Sequence, residues 1–423
     1  MKLKRIVASL LACTMVLSMA ACGKKNNSPA DAGDVTLTMW CIATESDSNR
    51  PSYEKAIADM AEKYPNVKLE WSATENQAYK TKIKAAVGAN EMPDIFFTWS
   101  CAFLGDFVEA GKVYCLDDAY KDFKDELPEA MLKNTTFNGK RYGVPLTMNI
   151  VGLFANMELL KQVGYDEIPG TYDEFIKCCD ALKAANIIPF GCAGKETWCV
   201  TEYLESVIEK SAGGNVLNDI FTGQASWNNQ DVADAVDTFQ SLVNNGYFDP
   251  AGIALSNDEV KANFMQGKYA FYMNGTWNCA DFAANPDFGS KVKVGEFPVI
   301  NADKSSLGQL IGGPSDTLAV AASSPNAEMA ATYTFELGKL ICHYGYLDGC
   351  GLPAWTPYGD TSSVNELTQA VAEIVANHNV MVLFGDTAMN ADEANTYLSY
   401  VDRVYGCEID GKGFIEGLSK DIR

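Results

Sequence analysis

Five tryptophans, Trp40, Trp99, Trp198, Trp277 and Trp355, stand where the chain turns or a strand ends, with Gly194 before Trp198, Gly275 before Trp277, and Pro353 and Pro357 around Trp355. An indole held by a turn offers a flat apolar face to whatever lies beside it. Short polar side chains occupy comparable positions: Glu45, Asn76, Asn149, Asp316 and Asp386. Asp316 follows Gly312-Gly-Pro-Ser, where missing side chains let backbone approach a ligand closely. Asp386 follows Phe384, which pairs a ring with a carboxylate. Rings cover faces of C–H bonds, and carboxylates and amides serve an edge of hydroxyls, so the set suits reversible capture of a sugar-like molecule. The same residues have plainer uses. A tryptophan beside a turn can lid the local core, and a loop-end Asp can close a turn. Trp71 and Trp227 are read as structural.

Covalent chemistry has little support. The chain carries no GxSxG, Walker, HExxH or strand-linked GxGxxG sequence. Its two histidines, His343 and His378, leave little for His-based acid–base work. Its 55 acids could supply the two carboxylates of a glycoside hydrolase, but the rhythm of eight strand–helix units is missing. With no CxxC pair, a metal site is not expected, and no cofactor is called for.

The elements that must hold these residues alternate. Val35 to Cys41 reads as a strand, followed by a helix with Tyr53, Ile57, Met60 and Tyr64 on one face. Val67 to Trp71 alternates apolar and polar residues as a half-buried strand does, and Asn76 can cap the helix after it. Asp94 to Thr98 is the third strand. Alternating strands and helices imply parallel pairing, with ligands beyond the carboxyl ends of the strands, here Trp40–Ser46, Trp71–Asn76 and Thr98–Cys101. Further on, Thr171 with Glu174 and Ser256 with Glu259 open helices as capping boxes.

Between these halves lies Asn138 to Phe175. Tyr142-Gly-Val-Pro is too broken for a central strand, because Pro145 lacks a donor, and it reads as a passage from one α/β lobe to another. Gly139-Lys-Arg-Tyr-Gly-Val-Pro, Leu153-Phe-Ala-Asn and Pro169-Gly-Thr-Tyr-Asp-Glu-Phe resemble the crossover of the family 1 extracellular solute-binding proteins of ABC sugar importers, the maltose-binding-protein-like group. Met92-Pro-Asp-Ile-Phe-Phe-Thr-Trp99 and Lys268-Tyr-Ala-Phe-Tyr-Met-Asn-Gly-Thr-Trp277 are similar to two more of that family's segments. In the second, the family's tryptophan stacks on bound sugar.

The resemblance implies a periplasmic-binding-protein-like α/β fold: two lobes joined by three crossing segments, with a cleft between them. Lobe one would comprise residues 35–145 and 297–343, and lobe two residues 146–296 and 344–423, with crossings at 138–145, 291–300 and 343–346. It also implies a monomeric binding protein rather than an enzyme, with a small-molecule carbohydrate (an oligosaccharide) as ligand and ABC permease subunits as partners. The implied binding residues are Trp40, Glu45, Asn76, Trp99, Asn149, Trp198, Trp277, Asp316, Trp355, Phe384 and Asp386. The alternatives weighed beside it are a secreted carbohydrate-active enzyme and a lipoprotein for an amino acid, a peptide or a metal.

Composition is compatible with export. Residues 1–21 form an expected signal peptide, with Lys2, Lys4 and Arg5 ahead of an apolar run. Ser18-Met-Ala-Ala-Cys22 resembles a lipobox, with Met19 where Leu is usual, so Cys22 is expected to carry lipid on the outer face of the cytoplasmic membrane. Residues 22–34 then form a tether. Losing the three cations takes the net charge from −22 to about −25, which argues against nucleic-acid binding, since phosphate contact needs a basic patch. Eleven further cysteines run from Cys41 to Cys407. An odd number cannot pair completely, and Cys178 and Cys179 adjoin on a helix, so most are read as small buried hydrophobes.

Overall fold

The computed structural model describes residues 33–422, together with Pro29. Cys22, the signal segment and most of the tether lie outside the described residues. No helix among the described residues is long and apolar enough to cross a membrane.

The first three strands do pair in parallel. Val67–Ala73, Val35–Cys41 and Ile95–Trp99 lie side by side in that order, with the helices Arg50–Lys63 and Asn76–Ala89 as crossovers. Asp316–Val320 joins antiparallel to Ile95–Trp99, and the short Val144–Pro145 completes the five-stranded sheet. This sheet and its helices form one hydrophobic core, centred on Phe96, Phe97, Leu104 and Leu318.

The second lobe is built on one long strand, Thr147–Asn156, with Ile188–Gly191 and Val380–Val382 at the two outer edges of its sheet. Tyr269–Gly275, Val292–Gly295, Gln309–Gly313 and Leu352–Pro353 each pair antiparallel with part of it. The helices Tyr172–Ala184, Thr197–Ala212 and Gln230–Asn244 cover its core around Phe175, Phe190, Phe239 and Phe271. Ser256 and Glu259 form the full reciprocal capping box, whereas Thr171 accepts only from the Glu174 amide.

The first crossing falls where Pro145 indicated, between Val144–Pro145 of one sheet and Thr147–Asn156 of the other. The second does not lie at 291–300. Val292–Gly295 and Gln309–Gly313 both still pair with Thr147–Asn156, so residues 297–313 belong with lobe two and the chain crosses at Pro314-Ser315. Gly312 and Gly313 precede that point with φ near +143°, and a side chain on Gly312 would strike the Asn149 carbonyl, which explains glycine there. The third crossing is the C-terminal end of the long helix Ala327–Asp348. Its Phe335, Leu337 and Ile341 pack in lobe one, while Tyr346 packs against the core of lobe two. The chain then touches lobe one again at Ala354 and Trp355 before Glu366–Ala376 settles on lobe two.

Candidate ligand-binding cleft

A cleft of about 560 Å³ separates the lobes, within the ~300–1,000 Å³ usual for small-ligand sites. Lobe one supplies the carboxyl ends of its parallel strands, as the alternation predicted: the loop with Asp47 after the first strand, Asn76 after the second, and Trp99 at the end of the third. Asp316 enters from the start of its antiparallel strand. Lobe two supplies Trp198 and Glu202 from the start of Thr197–Ala212, Trp277 after Tyr269–Gly275, and Phe384 with Asp386 at the short helix Gly385–Ala388.

Three rings make the lobe-two wall. Trp198 and Trp277 have centroids 6.1 Å apart, and Trp277 and Phe384 6.3 Å, each pair tilted by about 55°. Trp198 Nε1 donates to Glu196 Oε2 at 3.2 Å, which fixes its ring. The Trp277 ring lies directly over Gly275, where a Cβ would collide with the indole. Gly275 itself has ordinary extended backbone (φ −63°, ψ 148°), so it is there for the ring that covers it and not for a tight turn.

The lobe-one side is polar. Lys80 Nζ sits 4.9 Å from the centre of the Trp99 ring and reaches across to Asp386 Oδ2 at 3.0 Å. Trp99 is itself 8% exposed, packed edge-on against Phe97 and Phe103, so only its rim faces the cleft. Burial, with Asp47 nearby, pushes the Asp316 carboxyl up to about 7. Asn76 is the first residue of its helix rather than the cap. Glu75 caps it through both carboxylate oxygens, and Asn76 Oδ1 is left buried without a partner.

Of the expected binding residues, Asn76, Trp99, Trp198, Trp277, Asp316, Phe384 and Asp386 line this one cleft. Four lie elsewhere. Trp355 is 3% exposed in the core of lobe one, edge-on to Phe123 and Phe335, with Nε1 donating to the Pro145 carbonyl at 2.9 Å. Asn149 is buried at the hinge side of the long strand, where Oδ1 accepts from Thr276 Oγ1 at 3.0 Å and Nδ2 reaches the Cys350 carbonyl. Glu45 is exposed and pairs with Arg50 at 3.1 Å. Trp40 packs against the lobe-one core beneath the Lys82 ammonium, 4.0 Å from its ring centre.

Glu202 is among the cleft residues, with Asp47 and Lys80, that escaped the sequence reading. Glu202 stands four residues after Trp198, one helical turn along the same face. It is 1% exposed, and neither carboxyl oxygen has a hydrogen-bond partner. Beneath it, Glu205 accepts from Tyr397 Oη at 3.0 Å and from the Gly385 amide at 3.2 Å. Burial, then the neighbouring Glu205 and Asp386, hold the Glu202 carboxyl well above the usual carboxylate range.

The chain matches the family model of bacterial extracellular solute-binding proteins over residues 45–333 and belongs to that family. It is thereby a two-lobed binding protein of the extracytoplasmic kind. The fold superposes at a TM-score of 0.88 on a protein solved in work on xylan utilisation by the thermophilic bacterium Caldanaerobius polysaccharolyticus, 34% identical, covering 92% of this chain and 100% of that one. A chitin oligosaccharide binding protein shares the fold at a TM-score of 0.84 with 22% identity, covering 92% of this chain and 98% of that one. The multiple sugar-binding protein of Streptococcus mutans is 24% identical over 341 residues, 79% of this chain and 78% of that protein.

Proposed function

We propose that this chain captures a carbohydrate outside the cytoplasm, an oligosaccharide, and hands it to the permease of an ABC importer. The observation that carries the reading is the pairing of walls: Trp198, Trp277 and Phe384 on one side of the cleft, Asn76 and Asp316 on the other. Rings of a sugar lie on the indoles, and its hydroxyls meet the polar side. The lobes close about the three crossing segments, and the closed form presents surfaces of both to the membrane partner. The similarity to a multiple sugar-binding protein and to a chitin oligosaccharide binding protein supports the same ligand class. The chain acts as a monomer and as a binder without catalysis.

The expected lobe division, corrected at the second crossing, is the frame of this motion. Anchoring is through lipid on Cys22, supported by the basic start, the apolar run and the small residues before that cysteine. Mass spectrometry of the mature N-terminus checks it: an unmodified start elsewhere would remove the anchor from the account.

The deciding experiment is titration calorimetry of the mature chain over xylo-, cello-, manno- and malto-oligosaccharides, with amino acids and short peptides beside them and the ligand recovered afterwards. Saturable binding with the sugar returned intact is expected. Shortened sugar would make the chain an enzyme, and heat only from amino acids or peptides would replace the ligand class.

A further inference from the structure

Among the described residues, two side chains that line the cleft keep buried polar atoms without a hydrogen-bond partner: both carboxyl oxygens of Glu202 from lobe two and Oδ1 of Asn76 from lobe one. Buried polar groups are almost always satisfied, and a pair left open on facing walls of one cleft points to something that fills them on binding. The Gly275 amide, which would favour a negative charge on Glu202, donates to Asn274 Oδ1 at 3.0 Å, and the side chains around Glu202 do not stabilise such a charge. They are Glu205, Cys199 and Tyr203 on its own helix, Asp386 on Gly385–Ala388, Tyr272 on Tyr269–Gly275, and Cys192 after Ile188–Gly191. None is a cation. Of the cleft's three lysines, Lys80 is held by Asp386 at 3.0 Å and Lys261 by Asp281 at 2.7 Å, while Lys195 is exposed to solvent. A carboxyl buried in such surroundings keeps its proton.

We infer that Glu202 is a ligand-binding residue that meets the sugar as a neutral carboxylic acid, and that the same cleft, for want of a free buried cation, selects neutral oligosaccharides over acidic ones. The inference rests on the carbohydrate reading above. The acid's O–H donates to one sugar oxygen, and its C=O accepts from a neighbouring hydroxyl. Asn76 Oδ1 accepts another hydroxyl from the opposite wall, so both lobes gain partners only when the cleft is filled. The upward push on the Glu202 carboxyl from burial and from Glu205 and Asp386 agrees with this state. A uronic acid in the same place would bury a carboxylate with no free buried cation to pair it, since Lys80 is already engaged by Asp386.

The test takes the tightest neutral oligosaccharide from the panel and compares it by calorimetry with one of the same series and length carrying a uronic acid residue. Near neutral pH the acidic sugar should bind at least about 30-fold more weakly, a loss of the size that leaving a buried charge unpaired produces. Glu202→Gln has the shape of the protonated acid and should bind the neutral sugar within about threefold of native. Glu202→Leu has no polar atoms and should lose about 5- to 150-fold, without a fall in melting temperature. The native-minus-Glu202→Gln infrared difference at neutral pH should carry the C=O band of a protonated carboxyl, a readout that stands should Glu202→Leu misfold. Equal binding of the neutral and acidic sugars, full affinity in folded Glu202→Leu, or no such band overturns the inference and leaves the carbohydrate reading standing. No binding anywhere in the panel overturns that reading, and this inference with it.

Discussion

Lys80 of lobe one and Asp386 of lobe two meet across the cleft at 3.0 Å, with the Lys80 ammonium also resting 4.9 Å from the Trp99 ring centre. Their side chains are 21% and 11% exposed, so the pair is shielded more than a surface ion pair is. The contact is made by the side chains of the two lobes themselves. It therefore favours the closed arrangement by itself, which lowers the cost of closure when ligand arrives.

Removing either partner should shift the ligand-free chain towards the open form. A pair of this exposure contributes about 1 kcal/mol, so Lys80→Ala and Asp386→Asn should each weaken binding by about fivefold. Small-angle scattering of the ligand-free variants should report a larger radius of gyration than native. Native-like radius and affinity in both would show the pair to be incidental to closure.

The Trp277 indole covers Gly275, which ties affinity to a residue that touches no ligand. Gly275→Ala should push the ring off its seat, and Trp277→Ala should remove it. A buried aromatic contact is worth roughly 1.5–3 kcal/mol, so Trp277→Ala should weaken sugar binding by about 10- to 150-fold, with Gly275→Ala falling in the same direction. Trp277 is only half-buried and faces the cleft, so melting temperature should change little in Trp277→Ala. A large drop in melting temperature, with affinity kept in the folded fraction, would make Trp277 a core residue instead.

Much of lobe one was legible because its signals are local. Strand, helix and turn residues follow one another within each unit, and parallel pairing follows from the alternation. The second crossing was misread for the opposite reason. Gly295 and Pro298 look like a departure, yet Val292–Gly295 and Gln309–Gly313 return to Thr147–Asn156, and pairing across so much sequence leaves no local trace. Trp355 shows the same limit: its prolines resemble an exposed turn, while Phe123, which packs beside it, is far away in the chain. Glu202 had a signal that went unused, the four-residue step from Trp198. An acid inside a helix normally marks the solvent face, but Thr197–Ala212 also buries Glu205, Glu209 and Lys210.

The eleven cysteines from Cys41 to Cys407 are all free thiols, and only Cys407 is exposed. Burial pushes the Cys41 and Cys342 thiols up to about 12, which keeps them protonated and slow to react at neutral pH. A thiol reagent should therefore find one fast-reacting group in the native chain. After denaturation without reductant it should find all eleven. A count lower by four or more would mean that disulfides form in the exported protein.

Asp316 should make stability depend on pH in a particular direction. Its carboxyl is pushed up to about 7, chiefly by burial and then by Asp47, from an ordinary value of 3.8. A folded-state pKa above the unfolded one means that the folded chain holds the proton longer. The stability contributed is complete below about pH 3.8 and is lost as pH rises through about 7. Glu209, pushed up to about 7 mainly by its burial, acts in the same sense, so the ligand-free native chain should melt lower at mildly alkaline pH than at mildly acidic pH. Asp316→Asn cannot ionise. Its melting temperature should match native at the acid end of this window and exceed it by a few degrees above the window, leaving the shallower slope due to Glu209 and to the buried carboxyls of Glu202 and Glu205. Melting curves taken across the window decide the matter: parallel profiles for native and Asp316→Asn would mean that Asp316 is ionised in the folded chain without penalty.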